Sequence, residues 1–258
     1  TIGSLYDEEG TLVALDSVFS SLKNLDNKVL AAYAASFTGN PDFRQKVYDW
    51  VLNGNSHLEH EVIATPGGTG AVGMTLQECL DEGQTVVLPE IAWGSYALMA
   101  QMHNLNVEKY SLFEEDHFNL NSFKSACKNV MEKQNRLVIV INDPCHNPTG
   151  YSLSEDEWKE VISFLNECSK THSVVLLNDI AYIDFSYQQE KAKEYMNCFD
   201  SISDNVVVVI AFSLSKSMTS YGLRCGAAII LAQKEQAVQE VKIVFEKNAR
   251  ATWSNINN

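Results

Sequence analysis

Three segments of the chain contain residue types that could do chemistry, and each follows a short apolar run. Asp179 ends the run 174–178, where burying a carboxylate is costly unless a cation or a bound ligand compensates it. Lys216 comes just after another uninterrupted apolar run. The glycine-rich segment 67–71 opens a helical pattern over 71–82, and the free N–H groups of a helix N-terminus can bind an anion. Each segment alone has an ordinary explanation: a helix cap or turn residue, a solvated surface lysine, and a glycine turn.

Together, the three segments match the requirements of one cofactor. A pyridoxal-phosphate (PLP) enzyme needs a cradle for the phosphate, a lysine that forms an imine with the cofactor, and a carboxylate that keeps the pyridine nitrogen protonated. The glycine-rich segment, Lys216 and Asp179 supply one of each. The sequence therefore predicts a PLP site, provided that folding brings the three segments to one place.

The elements that would position these residues alternate between strands and helices. Apolar runs of strand length occupy 85–89, 137–142, 174–178, 206–212 and 227–231. Several are apolar at consecutive residues, which is typical of strands buried on both faces of a sheet. The segment 154–171 is predicted to be a helix, because Ser154 and Glu157 form a capping-box pattern and apolar residues recur on one face. This alternation predicts an α/β fold with a mostly parallel sheet, in which ligands bind at the carboxyl ends of strands.

Composition and charge narrow the class of partner. The chain has 258 residues, of which 45% are hydrophobic and 20% charged, as expected for a globular protein. Its formal net charge of -14 argues against nucleic acid or a membrane surface as a partner and favours a small molecule. No run approaches the roughly 18 apolar residues of a membrane helix, and the start has no signal-peptide pattern. We therefore expect a cytoplasmic protein.

The six cysteines are predicted to be reduced thiols, because they form no C-x-x-C pair and have no zinc-like spacing. We predict no metal site. Cys145 precedes His146, which could suggest a Cys/His nucleophile. Adjacent residues of an extended segment point in opposite directions, however, so we interpret Cys145 as a small packing residue.

Four segments also carry a family resemblance, and their order and spacing extend it along nearly the whole chain. They read Gly-Gly-Thr-Gly-Ala at 67–71, Asp-Pro-Cys-His-Asn-Pro-Thr-Gly at 143–150, Asn-Asp-Ile-Ala-Tyr at 178–182, and Ser-Leu-Ser-Lys at 213–216 followed by Tyr-Gly-Leu-Arg-Cys-Gly at 221–226. They resemble the signature segments of class I, fold-type-I aminotransferases, closest to the aspartate and aromatic aminotransferase group. The resemblance implies the large PLP-binding domain of that fold: a mostly parallel, seven-stranded sheet with helices on both faces, in three α/β/α layers.

The resemblance implies roles around the cofactor ring. Lys216 would form the Schiff base and, once the substrate amine displaces it, move the proton between the substrate α-carbon and the cofactor C4′ carbon. Asp179 would pair with the pyridinium nitrogen. Asn147 and Tyr182 would hydrogen-bond the phenolic oxygen, and Trp93 would stack on the ring face. Asn147 and Trp93 would also contact the substrate.

The resemblance implies a phosphate site as well. Gly68 and Thr69 would donate to the phosphate from the backbone or a hydroxyl group, and Ser213 and Arg224 would complete its shell with charge-assisted bonds. Gly67 departs from the family, which commonly has a serine there. The phosphate would therefore depend more on Arg224 and on backbone donors.

Two residues are expected to act in a partner subunit, so the resemblance implies a homodimer. Arg250 matches an arginine that, in dicarboxylate-specific members, reaches across the dimer and binds the substrate side-chain carboxylate. Tyr33 matches a tyrosine given to the partner's phosphate site, although the spacing that follows it is one residue longer than usual. A third residue departs from the pattern: Tyr96 stands where relatives often have a histidine that supports the pyridine-binding aspartate, so the support of Asp179 must differ here.

The resemblance also divides the chain into an N-terminal segment, residues 1–45, that contacts the partner subunit, and a PLP-binding large domain, residues 46–258. The family's C-terminal small domain, which supplies the arginine for the substrate α-carboxylate, would follow residue 258. We therefore expect this chain alone to bind PLP at most and to transaminate poorly or not at all.

The predicted function is PLP-dependent transamination through a Schiff base on Lys216. The substrates would be an amino acid, either aspartate/glutamate or aromatic, and a 2-oxo acid. A PLP-dependent lyase or decarboxylase is an alternative, since the cofactor-holding residues are shared, although Arg250 favours transamination. A second alternative is a non-catalytic module in which the same fold binds an effector.

Overall fold

The fold is built on one large sheet. The structure, a computed structural model, describes residues 3–53, 56–256 and 258. The strands among these residues are β1 Glu59–Pro66, β2 Thr85–Pro89, β3 Asn106–Tyr110, β4 Phe113–Glu114, β5 His117–Phe118, β6 Arg136–Asn142, β7 Ser173–Asp179, β8 Val206–Ser213 and β9 Cys225–Ala232. All five runs predicted as strands lie within β2, β6, β7, β8 and β9.

Strand order and direction agree with the predicted sheet. Among the described residues, seven strands form one sheet in the order β1, β9, β8, β7, β6, β2, β3, and β4 pairs with β5 in a separate hairpin. Strand β9 runs antiparallel to both neighbours, whereas every other neighbouring pair in the sheet is parallel. The prediction of a mostly parallel, seven-stranded sheet is confirmed.

Helices cover both faces of the sheet. Those described are α1 Asp16–Lys23, α2 Asn27–Ala31, α3 Pro41–Leu52, α4 Gly67–Cys79, α5 Ser95–Met102, α6 Leu120–Met131, α7 Glu155–Cys168, α8 Leu214–Ser217 and α9 Glu235–Thr252, with 3₁₀ helices at Ile183–Phe185, Gln189–Ser201 and Tyr221–Leu223. One apolar core packs α3, α6 and α7 on the sheet around Phe123 and Trp158, and a second packs α4, α5 and α9 around Leu76 and Phe245. The three predicted layers are therefore present.

Two helices predicted from local sequence patterns can be compared with the structure. The capping box of Ser154 and Glu157 is present, and α7 begins at the next residue, Glu155. The segment predicted to be helical from 71 instead begins its helix at Gly67 and ends at Cys79. Gly67 itself has a φ of 68°, a left-handed value that glycine tolerates and other residues rarely adopt.

The N-terminal segment lies over the sheet edge with few buried residues. Its Leu5 N–H donates to the Tyr221 hydroxyl at 3.0 Å, and its Leu15 N–H donates to Thr219 Oγ1 at 2.8 Å. Helix α3 includes residue 45, so the predicted boundary between residues 45 and 46 falls inside a helix; the division into two parts stays a prediction.

In the described part of the chain, no helix combines the length and the apolar character that crossing a membrane requires.

Strand register determines what lies at the carboxyl edge of the sheet. Asn142 of β6 pairs with Asp179 of β7, and Asp179 pairs with Ala211 of β8. Ser213 ends β8 opposite Gly226, and Gly226 also pairs with Thr65 near the end of β1. Polar residues that are far apart in the chain therefore meet at one edge of the sheet.

Candidate active site

A cavity of about 670 Å³ opens at this carboxyl edge. Its walls contain nine of the residues predicted to hold the cofactor: Gly68, Thr69, Trp93, Asn147, Asp179, Tyr182, Ser213, Lys216 and Arg224. The glycine-rich segment, Asp179 and Lys216 therefore meet in one cavity, which is the condition for the predicted PLP site. Arg250 and Tyr33 lie elsewhere on the molecule.

Asp179 is held at the end of β7 as an oriented carboxyl group. Its side chain is buried, and its Oδ2 accepts a hydrogen bond of 2.6 Å from the Tyr96 hydroxyl, while Oδ1 accepts one of 3.0 Å from the N–H of Ala181. Burial raises the pKa of Asp179, and the two hydrogen bonds oppose that rise. A cationic heterocycle in the cavity would stabilise the ionised carboxylate further.

Lys216 lies on the short helix α8, directly after β8. Its Nζ donates a hydrogen bond of 2.5 Å to the carbonyl oxygen of Gly3 and lies 5.5 Å and 5.4 Å from the ring centres of Tyr182 and Tyr221. Burial and, to a smaller extent, the charge of Arg224 lower the pKa of Lys216. A lowered pKa increases the fraction of neutral amine, which is the nucleophilic form.

The anion cradle combines the start of α4 with two side chains. Pro66 is the N-cap of α4 and has no hydrogen-bonding side chain, so the first N–H groups of this helix remain available to an anion. Ser213 and the cationic Arg224 line the same part of the cavity. Arg224 Nη1 donates to Ser215 Oγ at 3.2 Å and to the carbonyl oxygen of Tyr221 at 2.9 Å.

Gly67 contributes to this cradle by lacking a side chain, which leaves room for the Arg224 guanidinium. A Cβ atom at position 67 would lie 2.7 Å from Arg224 Nη2, closer than two such atoms can approach. The guanidinium therefore occupies the volume that a side chain at position 67 would need. This is a physical reason for glycine at position 67, and the donor set of helix N-terminus, serine hydroxyl and guanidinium fits a phosphate group.

The remaining ring-binding candidates surround Asp179. Trp93 packs edge-on against Tyr96, with ring centres 5.4 Å apart. The N–H of Asn147 donates to Asn142 Oδ1 at 2.7 Å, and Asn142 Nδ2 donates to the carbonyl oxygen of Asp179 at 2.8 Å. Tyr182, Asn147 and Asp179 thus belong to one connected wall of the cavity.

The cavity wall also contains Gly3, Ser4 and Asn142, which were not predicted from the sequence, and Ala181, Ser215 and Tyr221, which lie in the signature segments but were given no role. Tyr96 was noted only as a departure from the family, although its hydroxyl bonds directly to Asp179. Asn142 carried one usable signal, since it is a polar residue ending an apolar run. Gly3 and Ser4 carried none, because their place in the cavity depends on how the N-terminal segment folds over the sheet.

Arg250 and Tyr33 belong to an exposed surface region. Tyr33 is 85% exposed, and Arg250 stacks over the Phe37 ring at 4.9 Å while Nη1 donates to Ser254 Oγ at 2.7 Å. The segment containing Tyr33 is tied to the end of α9, because the N–H of Ala34 donates to Asn255 Oδ1 at 2.8 Å. Within this chain, neither Arg250 nor Tyr33 reaches the cavity.

The surroundings of Cys145 agree with a packing role. His146 Nδ1 is paired with Thr149 Oγ1 at 2.9 Å, and the Cys145 thiol lies 3.9 Å from Ser152 Oγ. Burial raises the pKa of Cys145 and lowers that of His146. Neither shift favours a thiolate nucleophile. All six cysteines lie in the described residues, and all six are free.

Comparisons with known proteins identify the family. The family model described as "Aminotransferase class I and II" matches residues 1–254. The aspartate aminotransferase of Salmonella typhi is 26% identical to this chain over 261 residues, which are 98% of this chain and 64% of that protein. A crystal structure of an aminotransferase from Anaerococcus prevotii superposes with a TM-score of 0.95 at 36% identity, covering 98% of this chain and 63% of that one.

A third similarity concerns the fold. The aromatic-amino-acid aminotransferase of Burkholderia pseudomallei covalently bound to pyridoxal phosphate has a TM-score of 0.80 at 22% identity, over 99% of this chain and 64% of that one. The chain thus spans less than two thirds of the length of these relatives. Aminotransferases of this kind depend on PLP. With a family model covering nearly all of its length, the chain belongs to the class I and II aminotransferases.

Proposed function

We propose that the chain is the cofactor-binding part of an enzyme that transfers an amino group between an amino acid and a 2-oxo acid. The observation that carries the proposal is the meeting of Lys216, Asp179 and the anion cradle in one cavity. When bound there, PLP would supply an aldehyde that condenses with amines and a ring that accepts electrons. The chain itself supplies binding, orientation and a movable proton.

Two sets of side chains hold the cofactor by its ends in this proposal. Arg224, Ser213 and the N-terminus of α4 bind the phosphate, since they combine a cation, a hydroxyl group and free N–H groups. Asp179, oriented by Tyr96, keeps a proton on the pyridine nitrogen. Stabilising that proton makes the ring a stronger electron acceptor, which is the electronic requirement of the reaction.

Lys216 carries the covalent and proton-transfer roles. Its lowered pKa favours the neutral amine that attacks an aldehyde. After the substrate amine displaces it, Nζ is the group that takes up the proton of the substrate α-carbon. Tyr182 and Asn147 bind the phenolic oxygen and Trp93 covers the ring face, so the cofactor keeps one orientation toward Nζ.

Substrate recognition is proposed to need a second copy of the protein. Arg250 and Tyr33 do not line the cavity of their own chain, so in this proposal Arg250 serves the substrate and Tyr33 the phosphate group in the cavity of a partner subunit. A guanidinium fork would bind the side-chain carboxylate of aspartate or glutamate, and we therefore favour an acidic amino acid over an aromatic one. Homodimer formation and a cytoplasmic location stay predictions.

Covalent trapping tests the proposed function. The chain is incubated with PLP, reduced with borohydride and digested, and the modified peptide is identified by mass spectrometry. The expected result is one cofactor adduct, on Lys216. Lys216→Ala should abolish the adduct, whereas Lys242→Ala, which removes a lysine outside the cavity, should not. An adduct spread over surface lysines, or none on Lys216, would refute the proposal.

A further inference from the structure

We propose that Asn142 is a positioning residue that couples the two cofactor-binding residues Asp179 and Asn147. The inference rests on the proposed function, because it concerns how the same cavity is held in shape. Asn142 ends β6, is only 3% exposed and forms part of the cavity wall.

The geometry places both polar ends of one amide between two binding residues. Asn142 Nδ2 donates to the carbonyl oxygen of Asp179 at 2.8 Å, and Oδ1 accepts from the N–H of Asn147 at 2.7 Å. An amide has one donor end and one acceptor end, so these partners fix its orientation. Strand register supports the contact, since Asn142 and Asp179 are paired residues of β6 and β7.

The coupling matters because the two residues would bind different atoms of the cofactor ring. Asp179 is proposed to face the pyridine nitrogen and Asn147 the phenolic oxygen. Asn147 lies in the loop after β6, and the bond to Asn142 anchors its backbone to that strand. Without Asn142, the Asn147 N–H would lose its bond to the strand, and the separation of the two groups would depend on the remaining bonds of the loop, such as Cys145 N–H to Ser152 Oγ at 2.9 Å. Errors near 1 Å are sufficient to weaken a binding site.

The chain contains a matched control for this role. Asn178 is also a fully buried asparagine near a strand end, and it pairs with Ile141 in the same two strands. Its amide faces the opposite side of the sheet, where Nδ2 donates to the carbonyl oxygen of Asp143 at 2.9 Å and Oδ1 accepts from the Tyr195 hydroxyl at 2.7 Å. Replacing Asn178 therefore tests the loss of a buried amide that does not line the cavity.

The first experiment needs no cofactor. Hydrogen exchange at the Asn147 amide is measured by NMR in the wild-type chain, Asn142→Ala and Asn178→Ala. Loss of the acceptor Oδ1 should speed exchange of this amide by about tenfold or more in Asn142→Ala, and not in Asn178→Ala. Unchanged protection of Asn147 in Asn142→Ala would overturn the inference.

The second experiment measures coupling through PLP affinity. Dissociation constants are compared for the wild type, Asn142→Ala, Asn147→Ala and the double variant. We expect Asn142→Ala to weaken binding about tenfold and Asn178→Ala to leave it within about twofold. If Asn142 acts through Asn147, its effect should shrink in the Asn147→Ala background. Fully additive effects would overturn the coupling.

A conservative variant guards against misfolding. Asn142→Asp keeps the shape and an acceptor for the Asn147 N–H, and in its ionised form it places an oxygen without a proton against the carbonyl oxygen of Asp179. It should retain exchange protection of Asn147 and still bind PLP more weakly; affinity equal to that of the wild type would contradict the tie to Asp179. Absence of the Lys216 adduct in the wild type would refute the proposed function. A normal adduct, together with wild-type exchange protection and wild-type PLP affinity in the Asn142 variants, would refute this inference alone.

Discussion

Polar residues of the predicted site occur in two regions that differ in how they are held. At the carboxyl edge of the sheet, Asp179 is 5% exposed and its carboxyl oxygens are bonded within the chain. In the exposed patch, defined by Tyr33, Phe37 and Arg250, the arginine stacks on a ring at the surface, and Tyr33 is 85% exposed.

The difference indicates which binding groups one chain can hold in place by itself and which need a second chain. Buried hydrogen-bonded groups have few alternative conformations, so the edge region is preorganised for a ligand. In the exposed patch, Arg250 contacts Phe37 and Ser254 at the surface, and Tyr33 is largely exposed, so we expect a second surface to complete the surroundings of these side chains. We therefore expect changes at the edge to act within the isolated chain, and changes in the exposed patch to act only in an assembly.

Removal of Asp179 should have the largest effect. Asp179→Ala takes away the charge that pairs with the pyridinium nitrogen, and loss of one partner of a buried ion pair corresponds to about a hundredfold weaker PLP binding. Arg250→Ala should leave the affinity of the isolated chain unchanged. Fluorescence titration with PLP measures both, and similar losses in the two variants would erase the distinction between the regions.

Gly67→Ala should come next. The new Cβ would collide with Arg224 Nη2 and would also strain a backbone with positive φ, so we expect about tenfold weaker PLP binding and a loss of about 1 kcal/mol in unfolding free energy. Gly83→Ala is the matched control, since Gly83 has a φ of 82° and open space around its Cα. Gly83→Ala should lower the unfolding free energy without changing the affinity for PLP. Unchanged PLP affinity in Gly67→Ala would show that Arg224 is not confined by this glycine.

Tyr96→Phe should have a moderate, pH-dependent effect. Without the hydroxyl donor, the pKa of Asp179 rises further, because burial already raises it and this bond opposes the rise. A carboxyl group with a raised pKa in the folded state stabilises the fold at low pH, and this contribution is lost as pH rises through the folded-state pKa. The cofactor-free variant should therefore lose more stability at neutral than at acidic pH, by about 2 kcal/mol at most.

Urea unfolding at two pH values measures this difference. Tyr195→Phe serves as the control, since it removes the hydroxyl of another buried tyrosine, one that bonds to Asn178 on the opposite side of the sheet. Its loss of stability should be similar at both pH values. Equal pH profiles for Tyr96→Phe and Tyr195→Phe would mean that Tyr96 does not govern the charge of Asp179.

The smallest effects are expected in the exposed patch of the isolated chain. Tyr33→Phe and Arg250→Ala should change the unfolding free energy by less than about 0.5 kcal/mol, because exposed side chains with few contacts contribute little. In the full-length protein, mixing Arg250→Ala with Lys216→Ala should restore part of the transaminase activity that each lacks alone. Restoration fails if Arg250 serves only its own subunit.

Local patterns predicted an α/β fold with a mostly parallel sheet and three residues or segments of its carboxyl edge, whereas the three layers and the other site residues came from the family resemblance. Consecutive apolar residues predicted β6, β7 and β8, and the rule that ligands lie at carboxyl ends of parallel strands directed attention to Asp179 and Lys216. The capping box predicted the start of α7. These features depend on neighbours in sequence, which is why they could be read without coordinates.

The sequence by itself thus determined which elements form and which chemical groups end them. Only the tertiary structure decided which of those groups touch: that Tyr96 donates to Asp179, that Asn142 joins Asp179 to Asn147, and that Gly67 leaves room for Arg224. These contacts join segments that only the packed sheet and its helices bring together. The pairing of Asn142 with Asp179 depends on strand register, and a register change of one residue would turn every side chain of a strand to the other face.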